Sequence, residues 1–249
     1  MPRIVYIQAD AAGQAYSPNG AMASRGFAFL GYDVRFFLPE ELPTLPLTPE
    51  TIVVGGMGTT RTALEQVAGR LPSLSGVPAV LSPYLGRECW RTTPGEVRLA
   101  ERFPVFVKPY EDAKFFTGKV IHSSAEMEAL MEPRPNHPAM TEDFPLLAQE
   151  PIVFLSEWRF FVLRGKVLGA SHYAGDALAF PAAGVVRLAL GAFQGAPAGY
   201  SADFGVSDDG RTLLVEINDG YSLGSGGLVA NLYAELLEAR WDEIMQGRN

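Results

Sequence analysis

Cysteine is almost absent from this chain of 249 residues: Cys89 is the only one. A lone cysteine excludes an intramolecular disulfide and suits a reducing compartment. With only 3 scattered histidines beside it, a structural zinc site lacks ligands. Charge is also sparse, at 19% of residues, and its balance is −8. That balance argues against a general phosphate-backbone binder, so no nucleic-acid partner is expected, although a local basic cleft is compatible with it. There is no long apolar run and no leader-like segment ahead of Ile4-Val-Tyr-Ile7, so a cytoplasmic location without a membrane partner is expected. Low-complexity tracts and internal repeats are missing as well. What is present is a 47% hydrophobic, globular composition, long enough for a sizeable core in one or two domains.

Strand and helix signals alternate along the first hundred residues. Ile4–Ile7, Val34–Leu38 and Thr51–Val54 read as strands, Ala21–Leu30 and Thr60–Ala68 as helices, and Pro78–Leu81 as a further short strand. This alternation predicts a small parallel sheet over residues 1–100. Ser82 to Arg102 reads as an irregular link. Residues 101–249 are richer in strands: Val105–Lys108, Leu146–Gln149, and a hairpin of Trp158–Leu163 with Val167–Tyr173 around Arg164-Gly-Lys166. Ser123-Ser-Ala-Glu126 is a capping box for a helix to about Met131. Val185–Phe193 and about Gly227 to Met245 read as helices, the latter with Leu228, Leu232, Leu236 and Ala239 on one stripe. The fold class is therefore α+β, preceded by a small α/β domain.

The segment Tyr200 to Asn218 carries the clearest chemistry. Asp209-Gly210 is a strong two-residue hairpin signal. That turn pairs Asp208 with Arg211, Gly205 with Leu214 and Asp203 with Glu216. Opposed residues share a face, and Asn218 lies two further on, so Asp203, Glu216 and Asn218 line up together. Ala202, Phe204, Val206, Leu213, Val215 and Ile217 form the other, apolar face. Two opposed carboxylates repel unless a cation sits between them, and Asp, Glu and Asn are oxygen donors of the kind magnesium takes. The competing reading is an ordinary solvated hairpin face.

Several other residues gain meaning beside that trio. Lys108 ends a strand and Lys114 follows in a loop with Thr117 and Gly118; lysines suit phosphate oxygens and backbone N–H groups can cover them. Gln149-Glu150 ends an apolar strand whose edge could present backbone groups to a purine. Glu157 and Arg159 share a strand face, as a functional pair or a structural salt bridge. Gly55-Gly-Met-Gly58 precedes a helix and reads first as a plain turn, second as an anion or acceptor site. Asp219 to Gly227 reads as a loop that closes over a substrate or simply starts a helix. His172-Tyr173 could face the same cleft and is left unassigned.

In their order, these motifs resemble the ATP-grasp superfamily, in particular compact carboxylate–amine ligase-like members. The matching residues are Lys108, Gln149-Glu150, Glu157, and Asp203 with Glu216-x-Asn218, spanning roughly Phe103 to Leu228. The N-terminal part resembles the small α/β domain that precedes the grasp in many members. The resemblance implies ATP and Mg2+ as cofactors. Lys108 and Lys114 would contact phosphates, Gln149 and Glu150 adenine, Glu157 ribose, and Asp203, Glu216 and Asn218 magnesium. The family's Arg-x-Asp reads Ser201-Ala-Asp203 here, so the arginine is expected from Arg159 or Arg187. The implied activity is an ATP-dependent ligase joining a carboxylate to an amine through an acyl-phosphate, on a small-molecule or peptide substrate. A kinase acting on a hydroxyl and a non-catalytic nucleotide-binding module are the alternatives, and self-association into a homo-oligomer stays open.

Overall fold

Short apolar strands buried on both faces start the chain, as a parallel sheet requires. The computed structural model describes residues 2–110, 115–133 and 139–247. β1 (Ile4–Gln8) leads to α1 (Pro18–Phe29), β2 (Asp33–Phe37), β3 (Ile52–Val54) and α2 (Met57–Ala68). β1 pairs in parallel with both β2 and β3, giving the order β2-β1-β3. Ser17 caps α1 by accepting the Gly20 N–H, and Pro18 follows at the first helical position.

Pro78–Leu81, expected as a strand, is instead a 3-10 turn over Ala79–Tyr84. A four-residue apolar run does not reveal its period, and here only Leu81 is buried while Val80 is exposed. The stretch expected to be irregular contains β4 (Cys89–Thr92) and α3 (Pro94–Ala100). Its signal was in the sequence: Thr93 and Glu96 form a reciprocal capping box, with Pro94 between them.

β5 (Val105–Pro109), β6 (Lys119–Ile121), α4 (Ser124–Met131) and β7 (Leu146–Gln149) follow. They complete an antiparallel sheet in the order β4-β7-β5-β6. Val105, Val107, Ile121, Leu146 and Ala148 bury one face of it against Met127 and Leu130 of α4. β8 (Phe154–Leu163), β9 (Lys166–Gly175), α5 (Ala183–Ala192), β10 (Gly199–Ser207), β11 (Thr212–Asp219) and α6 (Ala230–Met245) end the chain. Their strands form a second antiparallel sheet, β11-β10-β8-β9.

By contacts, residues 1–84 and 154–249 make one compact unit and Leu85–Val153 another. In the first, α6 is the central pillar: Tyr233, Leu236, Leu237, Trp241 and Ile244 pack with Val5, Ile7, Phe27 and Phe161. Helices α1 and α6 approach so closely that a Cβ on Gly26 would lie 2.0 Å from the Ala230 carbonyl oxygen. Helix α6 starts later than expected because Gly226 and Gly227 hold positive φ (51° and 84°), outside the helical region.

The β10–β11 hairpin differs from expectation near its turn. Ser207 donates its N–H to Arg211 O and Gly210 returns its N–H to Ser207 O, so the loop is Asp208-Asp209-Gly210 with Gly210 at φ 83°. Gly205 therefore opposes Leu213, and Phe204 opposes Leu214. A bulge between Asp203 and Phe204 then absorbs one residue of β11, and Asp203 opposes Glu216 as expected.

Candidate functional site

A row of side chains crosses the second sheet from edge to edge. Ser171 on β9 opposes Arg159 on β8, which opposes Asp203 on β10, which opposes Glu216 on β11. The next row is Gly169, Phe161, Ser201 and Asn218. Residues two apart on a strand share a face, so Arg159, Asp203, Glu216 and Asn218 gather on one side. The reverse side carries Trp158, Phe160 and Phe204, whose rings pack edge to face with one another or with Phe180.

Asp203 is fully buried, and its carboxylate is held by a two-pronged fork. Arg159 Nε donates to Oδ1 at 2.9 Å and Nη2 to Oδ2 at 2.6 Å. Asn218 Nδ2 adds a longer bond to Oδ2 at 3.3 Å. Burial pushes the Asp203 carboxyl up, Arg159 pulls it back, and Glu216 and Glu157 reinforce the upward push. Burial also works against the Arg159 charge, but the Asp203 bonds outweigh it and hold the guanidinium above its ordinary value. The cation that relieves the opposed carboxylates is thus Arg159, from the neighbouring strand. Arg187 is not brought there. It is exposed on α5, and Phe193, which caps that helix, packs on Tyr200 of the Phe204 face.

A second bulge, between Glu157 and Trp158, adds a residue that the sequence left unassigned. Tyr173 is the extra residue of β9, and its hydroxyl donates to Glu157 Oε2 at 2.7 Å. Its ring centroid lies 5.6 Å from the Arg159 guanidinium carbon. Burial, then the charge of Asp203 and the bond to Glu157, keep this phenol protonated far above its ordinary range. His172, one residue earlier, opposes Trp158 and stacks near it on the apolar face, so it takes no part.

The loop after β11 is fastened at both ends. Asp219 accepts a fork from Arg240 of α6 (2.7 and 2.6 Å) and also the Tyr221 N–H. Ser225 donates its N–H and hydroxyl to Asn19 Oδ1, both at 3.0 Å. A Cβ on Gly226 would fall 2.4 Å from the Phe161 ring, so the loop lies against the Asp203 side of the sheet. At the β3–α2 turn, Gly56 donates its N–H to Gln8 Oε1 at 2.8 Å, which favours the plain-turn reading of Gly55–Gly58.

In the other unit, one sheet face is likewise set apart from the core. Arg91, Leu147 and Lys108 form one row across β4, β7 and β5, and Cys89, Gln149 and Phe106 form the next. Two cations thus flank a leucine, and the sequence reading found only Lys108. A Cβ on Gly118 would stand 2.3 Å from the Phe106 ring, so the Thr117-Gly118 segment passes over this face. Lys114 lies outside the described residues. Gln149 and Glu150 are not an edge: β7 is paired on both sides, and the Glu150 N–H donates to Glu88 O. Arg87 holds Gln149 Oε1 at 2.6 Å, while Glu150 receives the Glu88 N–H and Arg102. The purine contacts expected from backbone N–H groups at 149–150 are therefore taken up within the sheet.

Residues 84–236, more than half of the chain, match the family model of an ATP-grasp domain, family 2 of its clade. The chain belongs to the ATP-grasp family. No curated protein matches it in sequence. Among solved structures it is similar to D-alanine–D-alanine ligase from Bacillus anthracis, at 14% identity and a TM-score of 0.60, covering 100% of this chain and 99% of that one. It is also similar to N5-carboxyaminoimidazole synthetase from Staphylococcus aureus (9% identity, TM-score 0.62, 96% and 77% covered). A third is D-cycloserine synthetase DcsG (12% identity, TM-score 0.60, 96% and 99% covered). At these identities the likeness is one of fold. The α+β class and the ATP-grasp fold expected from the motifs are both present.

As an ATP-grasp domain, the chain has a magnesium-compatible donor set only in part. Glu216 and Asn218 supply oxygen atoms from half-buried positions, where an ion that keeps several waters has room. Asp203 does not fit in the same way, because its side chain is 1% exposed and both oxygens face Arg159. Among the described residues, no cluster of three or more His, Cys, Asp or Glu side chains is arranged to hold a metal.

Proposed function

We propose that this ATP-grasp protein is an ATP-dependent ligase joining a carboxylate to an amine through an acyl-phosphate. The observation that carries the reading is the row Arg159–Asp203–Glu216, with Asn218 beside it, on the sheet of an ATP-grasp domain. It places one fixed guanidinium next to carboxylate and amide oxygens on one face, as transfer between two anions demands.

In the reaction, a substrate carboxylate oxygen forms a bond to the γ-phosphorus of ATP as the β–γ bridge breaks, releasing ADP. The amine nitrogen then attacks the acyl carbon, the carbon–oxygen bond to phosphate breaks, and the amine loses a proton. Magnesium, held by Glu216 and Asn218 with Asp203 behind them, would neutralise phosphate charge when bound. Lys108, with Lys114, is assigned to phosphate contact and Glu157 to the ribose hydroxyls, with Tyr173 fixing its carboxylate. Arg159 steadies the anionic acyl group. Gln149 and Glu150 act through the shape of their strand end rather than through free backbone N–H groups. A small-molecule or peptide substrate and a cytoplasmic setting complete the proposal. No helix among the described residues is long and apolar enough to cross a membrane.

The test is nucleotide turnover with panels of amino acids, dipeptides and polyamines. Stimulated release of ADP and inorganic phosphate together with an amide product supports the ligase. Phosphate retained on the product would assign a kinase instead, and binding of ATP without turnover would assign a nucleotide-binding module.

A further inference from the structure

The metal trio read from the sequence treats Asp203, Glu216 and Asn218 alike, and the structure separates them. Asp203 is 1% exposed at its side chain, while Arg159 is 28% exposed. Both Asp203 oxygens carry guanidinium bonds, at 2.9 and 2.6 Å, and Oδ2 takes the Asn218 amide as well. A magnesium ion on this carboxylate would meet a guanidinium on the same oxygens, cation against cation. It would also need space for the waters it gives up reluctantly, and a sealed carboxylate offers none.

We propose that Asp203 is the anchor of Arg159 rather than a magnesium ligand, and that Arg159 is the receptor for the anionic acyl group. This rests on the ligase reading and redistributes the roles within it. Nε and Nη2 of Arg159 point at Asp203, which leaves Nη1 as the nitrogen not engaged there. The Tyr173 ring lies beside the guanidinium, and the Tyr173 hydroxyl is tied to Glu157. Fork and ring together hold the cation in one place, so its charge is oriented before an anion arrives. Ser201 shares this face two residues before Asp203, and its buried hydroxyl makes no hydrogen bond. A small side chain there leaves the guanidinium fork to Arg159. Asp203 and Tyr173 are positioning residues, and Glu216 and Asn218 remain the magnesium side.

The test uses the full chain with Mn2+ and ADP as probes. In crystals of the wild-type protein, the anomalous signal of Mn2+ is expected within bonding distance of Glu216, with Asp203 still paired to Arg159. In solution, E216Q should weaken Mn2+ binding in the presence of ADP about tenfold or more, because a charged ligand is lost. D203N should leave that affinity within about threefold while turnover falls, and R159Q should reproduce the D203N phenotype, with the double variant no worse than either, because the two residues act as one unit. R159K, which keeps the charge without the fork, should not restore turnover. Mn2+ bonded to Asp203, or D203N losing Mn2+ as severely as E216Q, would overturn the proposal and leave the ligase reading standing. Failure of the wild-type protein to bind ADP with Mn2+ would overturn both. The crystal arm needs no variant, so a D203N chain that does not fold leaves the proposal open to contradiction.

Discussion

Single side chains in this protein are worth most where charge is buried. Arg240 is 1% exposed and satisfies two carboxylates at once, Asp219 by a fork and Glu243 at 2.7 Å. Replacing it with methionine strands both, and such a loss costs about 3–5 kcal/mol. Urea unfolding of R240M is expected to show that loss at an unchanged m-value. The Glu216→Gln change acts oppositely: Glu216 is half-buried, so E216Q should melt near the wild-type temperature while ATP turnover drops about a hundredfold or more. Thermal melts beside a phosphate-release assay separate the two effects. At this scale the sequence put Asp203, Glu216 and Asn218 side by side and had Arg159 as one of two candidate arginines. It missed Tyr173, Arg87 and Arg91, because their positions depend on a bulge or on a strand hidden in the apparent linker. It also gave Gln149-Glu150 an edge that the β4 pairing removes, since nothing local announces which strand will lie beside β7.

Secondary elements place those side chains, and backbone geometry decides how. The β8–β9 hairpin turns through Arg164 and Gly165, both at positive φ (47° and 76°). Arginine is strained there and asparagine is favoured, so Arg164→Asn should raise stability by about 0.5–1 kcal/mol. Chemical denaturation against wild type measures this directly. Gly175 closes the same strand at φ 76°, where a Cβ would sit 2.0 Å from the Leu155 carbonyl oxygen. Gly175→Ala should therefore destabilise by more than about 1 kcal/mol, and nothing flexible nearby can yield. The β10–β11 hairpin shows how far a sequence argument reaches. The expected pairing of Asp203 with Glu216 is present, but the turn is one residue longer than Asp209-Gly210 implies, and the bulge beyond Asp203 compensates. A turn motif signals that a hairpin forms. The loop length and the bulge are set by packing on the neighbouring strands, such as Phe204 against Trp158 and Phe160.

Across the whole molecule, burial sets how the fold responds to pH. Burial alone pushes the Tyr200 phenol up to about 12, and Tyr233 and Tyr32 are also raised, first by burial. An unfolded tyrosine ionises near about 10. The folded state therefore holds these protons more tightly, so this contribution is complete below about pH 10 and is lost as pH rises toward 12. Unfolding midpoints are expected to fall steadily over that interval, and a flat profile there would contradict the buried-phenol account. The alternation of strands and helices in the first 84 residues, and the strand-rich character beyond, were legible from periodicity alone. The grouping of residues 1–84 with 154–249 was not, because a contact between distant segments leaves no mark in either one.

The central claim is that this ATP-grasp protein activates a carboxylate by phosphorylation. Phosphorus NMR of a turnover mixture tests it most directly, with an 18O-labelled carboxylate from the stimulating substrate. The account predicts ADP and inorganic phosphate in equal amounts, with one labelled oxygen carried into the phosphate. Unlabelled phosphate, AMP with pyrophosphate, or a stable phosphorylated product would contradict it.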